Sequence, residues 1–373
     1  MFQIRELAAL TGSLLYLVSS HHAAAALPET KKTGEYGLND AAKAHGKLYF
    51  GTSTEPSKFL QDAAYYKQLN NTHDFGQLVA EGSMKWDELE PERNVFDFSV
   101  GDHITGLAAA NGQITRCHNL LWHLSTPDWV VNGGFDNATL ISIIENHITE
   151  VVKHYKGSCY AWDVVNEAVV ENGTWRSSVF YDTIGPAYIP IAFAAAAKVD
   201  PDVKLYYNDF AIELPSPKFS ATVDIVNMVR AYGAKIDGVG LQAHYDLSGM
   251  PPEAHFELGS MPSYDEQVAV MRTLDELDLD FAINEMDVSV LTPGNATIFH
   301  KQAETYYNAT AACLNFERCV GITGWEWTDK YSWVPHYFPN LGDALPWDKD
   351  LNKKPAYYGT LRALKEFNGT LDV

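Results

Sequence analysis

Residues 138–167 read ATLISIIENHITEVVKHYKGSCYAWDVVNE, and this stretch changes its hydrophobic period part-way through. Its first twenty residues put Ile141, Ile144, Ile148, Val151, Val152 and Tyr155 three or four apart, the spacing of one face of a helix. A glycine stops that pattern, and CYAWDVVNE (159–167) follows as a short apolar run, the mark of a buried strand. Helix, glycine stop, buried strand: the unit repeats along the chain.

Seven further strand-like runs occur, KLYFGTS (47–53), GQLVAEG (76–82), QITRCHNLLW (113–122), VKLYYNDF (203–210), GVGLQAHY (238–245), LDFAINEMDV (279–288) and GITGWEW (321–327). Helical segments such as KFSATVDIVNMVRAYG and TIFHKQAETYYNATAACLNF lie between them. Strict alternation of this kind requires parallel strands joined by helical crossovers, and eight units predict an α/β fold closed as a single-domain (β/α)8 TIM barrel. An open doubly wound sheet competes, but GTSTEPS after the first strand is not the glycine-rich turn such sheets use for nucleotides.

The 373-residue chain is 46% hydrophobic and carries 48 acidic against 27 basic residues, for a formal charge of −21. No basic stripe is present to track phosphates, so neither nucleic acid nor an anionic membrane is an expected partner. Residues 1–26 combine Arg5, the apolar LAALTGSLLYLV and the small-residue run AAAA, the plan of a secretory signal. We expect a secreted, extracellular, monomeric protein whose domain spans 27–373. Six N-x-[ST] sequons, at Asn70, Asn137, Asn172, Asn295, Asn308 and Asn368, accord with export and with a glycoprotein. Of four cysteines, Cys313 and Cys319 are close in sequence and are expected to form a disulfide; Cys117 and Cys159, in or beside apolar strands, are expected to be buried thiols.

In a barrel the active face lies at the carboxyl ends of the strands, so a candidate site can be collected from sequence. The ends supply Glu81 and Lys85, His118 and Trp122, Asn166 and Glu167, Asn208 and Asp209, Gln242 and His244, Glu285 and Asp287, then Trp325 with Trp333 beyond. Carboxylates, amides and indoles suit a neutral polyhydroxylated ligand, because indole faces cover the C–H faces of sugar rings. A metal site built on His118, His123 and His244 is a competing reading, but the HExxH spacing is missing and neither metal nor cofactor is expected.

Two carboxyls in contrasting settings suit glycoside hydrolysis. His244, oriented by Asp287, would keep Glu285 anionic as a nucleophile. The apolar neighbours of Glu167 (Trp162, Val164, Val165, Ala168 and Val169) predict a raised pKa, as a general acid needs. One difficulty accompanies this assignment: Asn166 and Glu167 are adjacent, and an ideal strand would point them to opposite faces. Both reach a ligand only if the strand kinks or bulges.

WDVVNE (162–167), INEMDV (283–288), HNLLWH (118–123), GLQAHY (240–245), MKWDELEPERNVFDF (84–98) and KKPAY (353–357) resemble glycoside hydrolase family 10, in order and over essentially the whole mature chain. DKYSWVP (329–335) is similar to fungal members. The resemblance implies a retaining endo-1,4-β-xylanase, with xylan as substrate, Glu167 as acid/base and Glu285 as nucleophile. It implies catalytic support from Asn166, His244 and Asp287, and sugar binding by Glu81, Lys85, His118, Trp122, Gln242, Trp325 and Trp333. Glu81 would act with Lys85 on the distal sugar of the glycone side. Three letters depart from the family: Gly82 stands where asparagine is usual, and Gly324 and Glu326 interrupt the usual T-V-W-G-V. They motivate one alternative, a relative that cuts sugars from steroidal saponins in the manner of tomatinases; a noncatalytic carbohydrate-binding barrel is the alternative from another class, and the presence of both glutamates with Asn166, His244 and Asp287 argues against it.

Overall fold

The computed structural model describes residues 36–249 and 261–369; the expected signal segment lies outside them. The described residues form one compact unit. Ten strands are present among the described residues: β1 Tyr49–Thr54, β2 Gln77–Ala80, β3 Ile114–Trp122, β4 Cys159–Asn166, β5 Lys204–Asp209, β6 Gly238–Leu241, β7 His244–Asp246, β8 Asp280–Leu291, β9 Cys319–Gly324 and β10 Leu341–Gly342.

Eight of these close a parallel barrel in the order β1-β2-β3-β4-β5-β6-β8-β9, with Gly51 opposite both Gln77 and Thr323 where β9 returns to β1. All eight strand-like runs of the sequence are strands here. The sixth is cut in two by Ala243, whose φ of 61° turns the chain so that β7 runs on beside β8. Pair β7–β8 sets His244 opposite Asp287, and the short β10 adds antiparallel to β8.

The helices form for local reasons that the sequence carries. Asn137–His154 starts where the Asp136 side chain accepts a hydrogen bond from the Thr139 amide at 2.8 Å. Pro217–Tyr232 has Ser216 as its cap and proline in its first turn, and ends at Gly233, whose φ of 84° a side chain would resist. The buried face of Asn137–His154 is Leu140, Ile143, Ile144, His147, Ile148, Val151 and Val152, so it is rotated slightly from the expected stripe and Ile141 is only half-buried. This face and Trp162 and Val164 of β4 belong to one apolar cluster between the barrel and its helices.

Inside the barrel the packing is polar. Arg116 on β3 and Asp163 on β4 form a fully buried ion pair, and Asp163 Oδ2 also lies 3.0 Å from Nδ1 of His118. Isolated buried charges are costly, and here each has its partner. Through His118 this pair lies behind the site.

Cys313–Cys319 is a disulfide, as expected, joining the helix Ala296–Leu314 to β9. Cys117 and Cys159 are not thiols: they form a second disulfide, and no free cysteine remains. Their sequence separation of 42 conceals their proximity, but β3 and β4 are neighbours and place Thr115 beside Cys159, leaving the two Cα atoms 5.7 Å apart.

Candidate active site

Eleven of the twelve expected catalytic, supporting and sugar-binding residues line one cavity at the carboxyl ends of the strands: Glu81, Lys85, His118, Trp122, Asn166, Glu167, Gln242, His244, Glu285, Trp325 and Trp333. The twelfth, Asp287, is fully buried beneath His244. Leu124, Phe210 and Tyr337 share the lining, and sequence reasoning did not select them for the site. His123 is turned away into a separate recess with Arg176 and Phe180, so the three histidines of the metal reading do not meet.

Adjacent residues Asn166 and Glu167 both reach the cavity because Glu167, one residue past β4, adopts a φ of 58°. A register shift between Asp163 and Val165 in the pairing of β4 with β5 precedes it. The left-handed conformation is costly for glutamate, and its neighbours hold it there. Its N–H donates to Asn208 O at 3.0 Å, its carbonyl accepts from Arg176 Nε at 2.9 Å, and the next amide, of Ala168, donates to Tyr207 OH at 3.0 Å.

The Glu167 carboxylate is held by donors. Trp122 Nε1 lies 2.8 Å from Oε2, and Gln242 Nε2 and Asn166 Nδ2 each lie 3.1 Å from Oε1. Burial pushes its pKa up, but the indole and amide donors outweigh burial and hold the carboxyl below its ordinary range. This corrects the expected elevation. Apolar neighbours in sequence belong to the core behind the strand, whereas the carboxylate meets polar groups from β3, β4 and the end of β6.

Glu285 is 4% exposed and accepts from Asn208 Nδ2 at 2.7 Å through Oε1. Its Oε2 lies 3.2 Å from His244 Nε2, while His244 Nδ1 lies 3.0 Å from Asp287 Oδ2. Burial would lower the pKa of His244, yet Asp287 and Glu285 together raise it well above the usual imidazole value. Trp333 Nε1 donates to the same Asp287 oxygen at 2.7 Å, which fixes the indole that walls the cavity.

Asn208 ties the two glutamates together, since its Nδ2 also lies 2.8 Å from Asn166 Oδ1. Its place at a strand end was visible in sequence, but not this role. Gly240 makes room for it: a Cβ there would come within 2.2 Å of Asn208 Oδ1 and 2.1 Å of Asn284 Nδ2.

Glu81 and Lys85 both line the cavity, but each has a different partner. Lys85 Nζ sits 4.3 Å from the centroid of the Trp122 ring, and burial lowers its pKa. Glu81 pairs with Lys58, at 2.6 Å, a residue of the short helix Pro56–Phe59 after β1 that sequence reasoning passed over.

This arrangement of acids, amides and indoles matches known proteins. The family model of glycosyl hydrolase family 10 matches residues 37–363. The chain belongs to glycosyl hydrolase family 10. Among its family 10 relatives is endo-1,4-beta-xylanase D of Talaromyces funiculosus, 47% identical over 333 residues, 89% of this chain and 79% of that protein. An endo-1,4-beta-xylanase of Agaricus bisporus is 43% identical over 88% of this chain and 94% of its own length. In structure, the family 10 xylanase from Bispora sp. MEY-1, solved with xylobiose, superposes with a TM-score of 0.83 at 41% identity, covering 88% of this chain and all of that one. Xylanase 10B of Thermotoga petrophila, also in complex with xylobiose, gives 0.82 at 33% identity over 89% and 98%.

Within this family 10 barrel, Glu326 is turned inward. Its side chain is 1% exposed and lies 2.8 Å from Lys58 Nζ. Gly82 has open space: a Cβ there would meet only Glu55 Oε1, at 3.5 Å.

Proposed function

We propose that this family 10 glycoside hydrolase is a secreted, retaining endo-1,4-β-xylanase that cuts internal β-1,4-xylosidic bonds of plant xylan. The observation that carries the reading is the pair of buried carboxylates, Glu167 and Glu285, facing one cavity from β4 and β8 with different partners. Relatives named as xylanases at 47% and 43% identity give the same answer for substrate.

In this reading a Glu285 oxygen attacks the anomeric carbon as the bond to the leaving oxygen breaks, and Glu167, protonated at this stage, gives that oxygen its proton. A glycosyl ester on Glu285 and an ionised Glu167 result. Glu167 then takes a proton from water, whose oxygen attacks the same carbon and releases Glu285, so two inversions leave the configuration unchanged. The donors around Glu167 suit its ionised phase, and Asn166, bonded to Glu167 and through Asn208 linked to Glu285, holds the sugar's 2-hydroxyl in this reading. His244 steadies Glu285 as the anion it must be before attack and after release.

Wild-type protein should release short xylo-oligosaccharides from soluble arabinoxylan, with β-configured ends at first appearance. Glu285→Ala should abolish turnover of an aryl β-xylobioside, and azide should restore it with an α-configured product. Inert xylan and xylobioside beside a cleaved steroidal saponin would replace this reading with the saponin one.

A further inference from the structure

At the rim of the cavity, three ionisable side chains from three parts of the chain meet. Lys58 Nζ lies 2.6 Å from Glu81 Oε2 and 2.8 Å from Glu326 Oε1. Ser53, in β1, joins the same two residues: its hydroxyl donates to Glu81 Oε1 at 2.9 Å and accepts from the Glu326 amide at 2.6 Å. Tyr65 OH donates to Glu326 Oε1 at 2.7 Å, and that tyrosine is stacked on Trp327. Of the three, only Glu81 lines the cavity; the side chains of Lys58 and Glu326 are 14% and 1% exposed.

Both oxygens of Glu81 are thus engaged from behind, and each retains a lone pair for a ligand. A lysine on a four-carbon stem holds a carboxylate loosely when it has a single partner. Glu326, immobilised by Tyr65 and the backbone, holds the ammonium from its other side, so the geometry of Glu81 is set before any sugar arrives. Such preorganisation reduces the ordering cost of binding. Gly82 offers no side chain beside Glu81, so the ordering of Glu81 counts for more.

We infer that Lys58 and Glu326 are positioning residues that fix the Glu81 carboxylate, and that they set how much binding energy the enzyme draws from the second glycone sugar. The inference rests on the xylanase reading above. The Glu81, Lys58 and Glu326 side chains are 17%, 14% and 1% exposed; an ion cluster so largely withdrawn from water is weak evidence for stability, and with Glu81 facing the cavity its geometry points to a binding role.

The test compares kcat/KM on an aryl β-xylobioside with that on the β-xyloside bearing the same leaving group, so that chemistry at the broken bond is common to both. Wild type should favour the disaccharide strongly; wild type inert on both would sink the xylanase reading itself, before any variant is made. Lys58→Met should lower the disaccharide-to-monosaccharide ratio roughly ten- to hundred-fold, the scale of a lost charge-assisted hydrogen bond. Lys58→Arg should recover part of it, and Glu326→Gln should lower it in the same direction. In a Glu81→Gln background, Lys58→Met should change the ratio no further, because both act through one carboxylate. Equal loss on the two substrates, or full additivity with Glu81→Gln, would overturn the inference. If Lys58→Met does not fold, the near-isosteric Glu326→Gln decides: an unchanged ratio there overturns it.

Discussion

Two adjacent letters, Asn166 and Glu167, show how a residue's role depends on groups distant in sequence. The glutamate's φ of 58° brings it to the same cavity as the asparagine, and Trp122, 45 residues away, then supplies the 2.8 Å donor that helps hold its pKa down. A donor to the ionised form favours that form, so removing the donor raises the pKa. The alkaline limb of kcat/KM, where the free enzyme loses its acid, should therefore move to higher pH in Trp122→Phe. Lys85 rests on the same indole, so absolute activity will also fall, but the limb position reads the ionisation. A limb that stays in place or moves to lower pH would show that Trp122 does not set the ionisation of Glu167. Strand-end position was enough to select Glu167; its neighbours in sequence gave the wrong direction for its pKa, because the atoms around its carboxylate belong to other strands.

At the scale of elements, β3 and β4 do the most to position the site, and the disulfide Cys117–Cys159 joins them. Its cysteines are 42 residues apart, against 6 for Cys313–Cys319. Cross-linking a longer loop removes more entropy from the unfolded chain, about 4 kcal/mol for the first bridge against about 2 for the second. Denaturant unfolding should accordingly find the Cys117→Ala/Cys159→Ala pair less stable than Cys313→Ala/Cys319→Ala, and the reverse order would mean that native packing outweighs the loop term. The short bridge was legible because six residues cannot carry their ends far apart. The long one was not, since it depends on which strand lies beside which.

For the whole molecule, the alternation of short apolar runs and amphipathic helices leaves the barrel as the closed solution, and closure gathers residues from Ser53 to Trp333 at one rim. The same molecule carries a formal charge of −21, which acts at long range on any charged substrate. Raising ionic strength from about 10 mM to about 150 mM shortens the screening length from about 30 to about 8 Å, so KM for a xylan bearing glucuronic acid should fall. KM for neutral arabinoxylan should not move; equal responses of the two polymers would remove charge repulsion as the cause. The sequence alone determined the period of the elements, their number, and the chemistry at each strand end, because these depend on neighbours within a few residues. Tertiary structure alone decided the partners: Cys117 with Cys159, Lys58 with both Glu81 and Glu326, and Asn208 between the two acids. Those pairings follow from strand register and barrel closure, which bring together atoms that no local pattern relates.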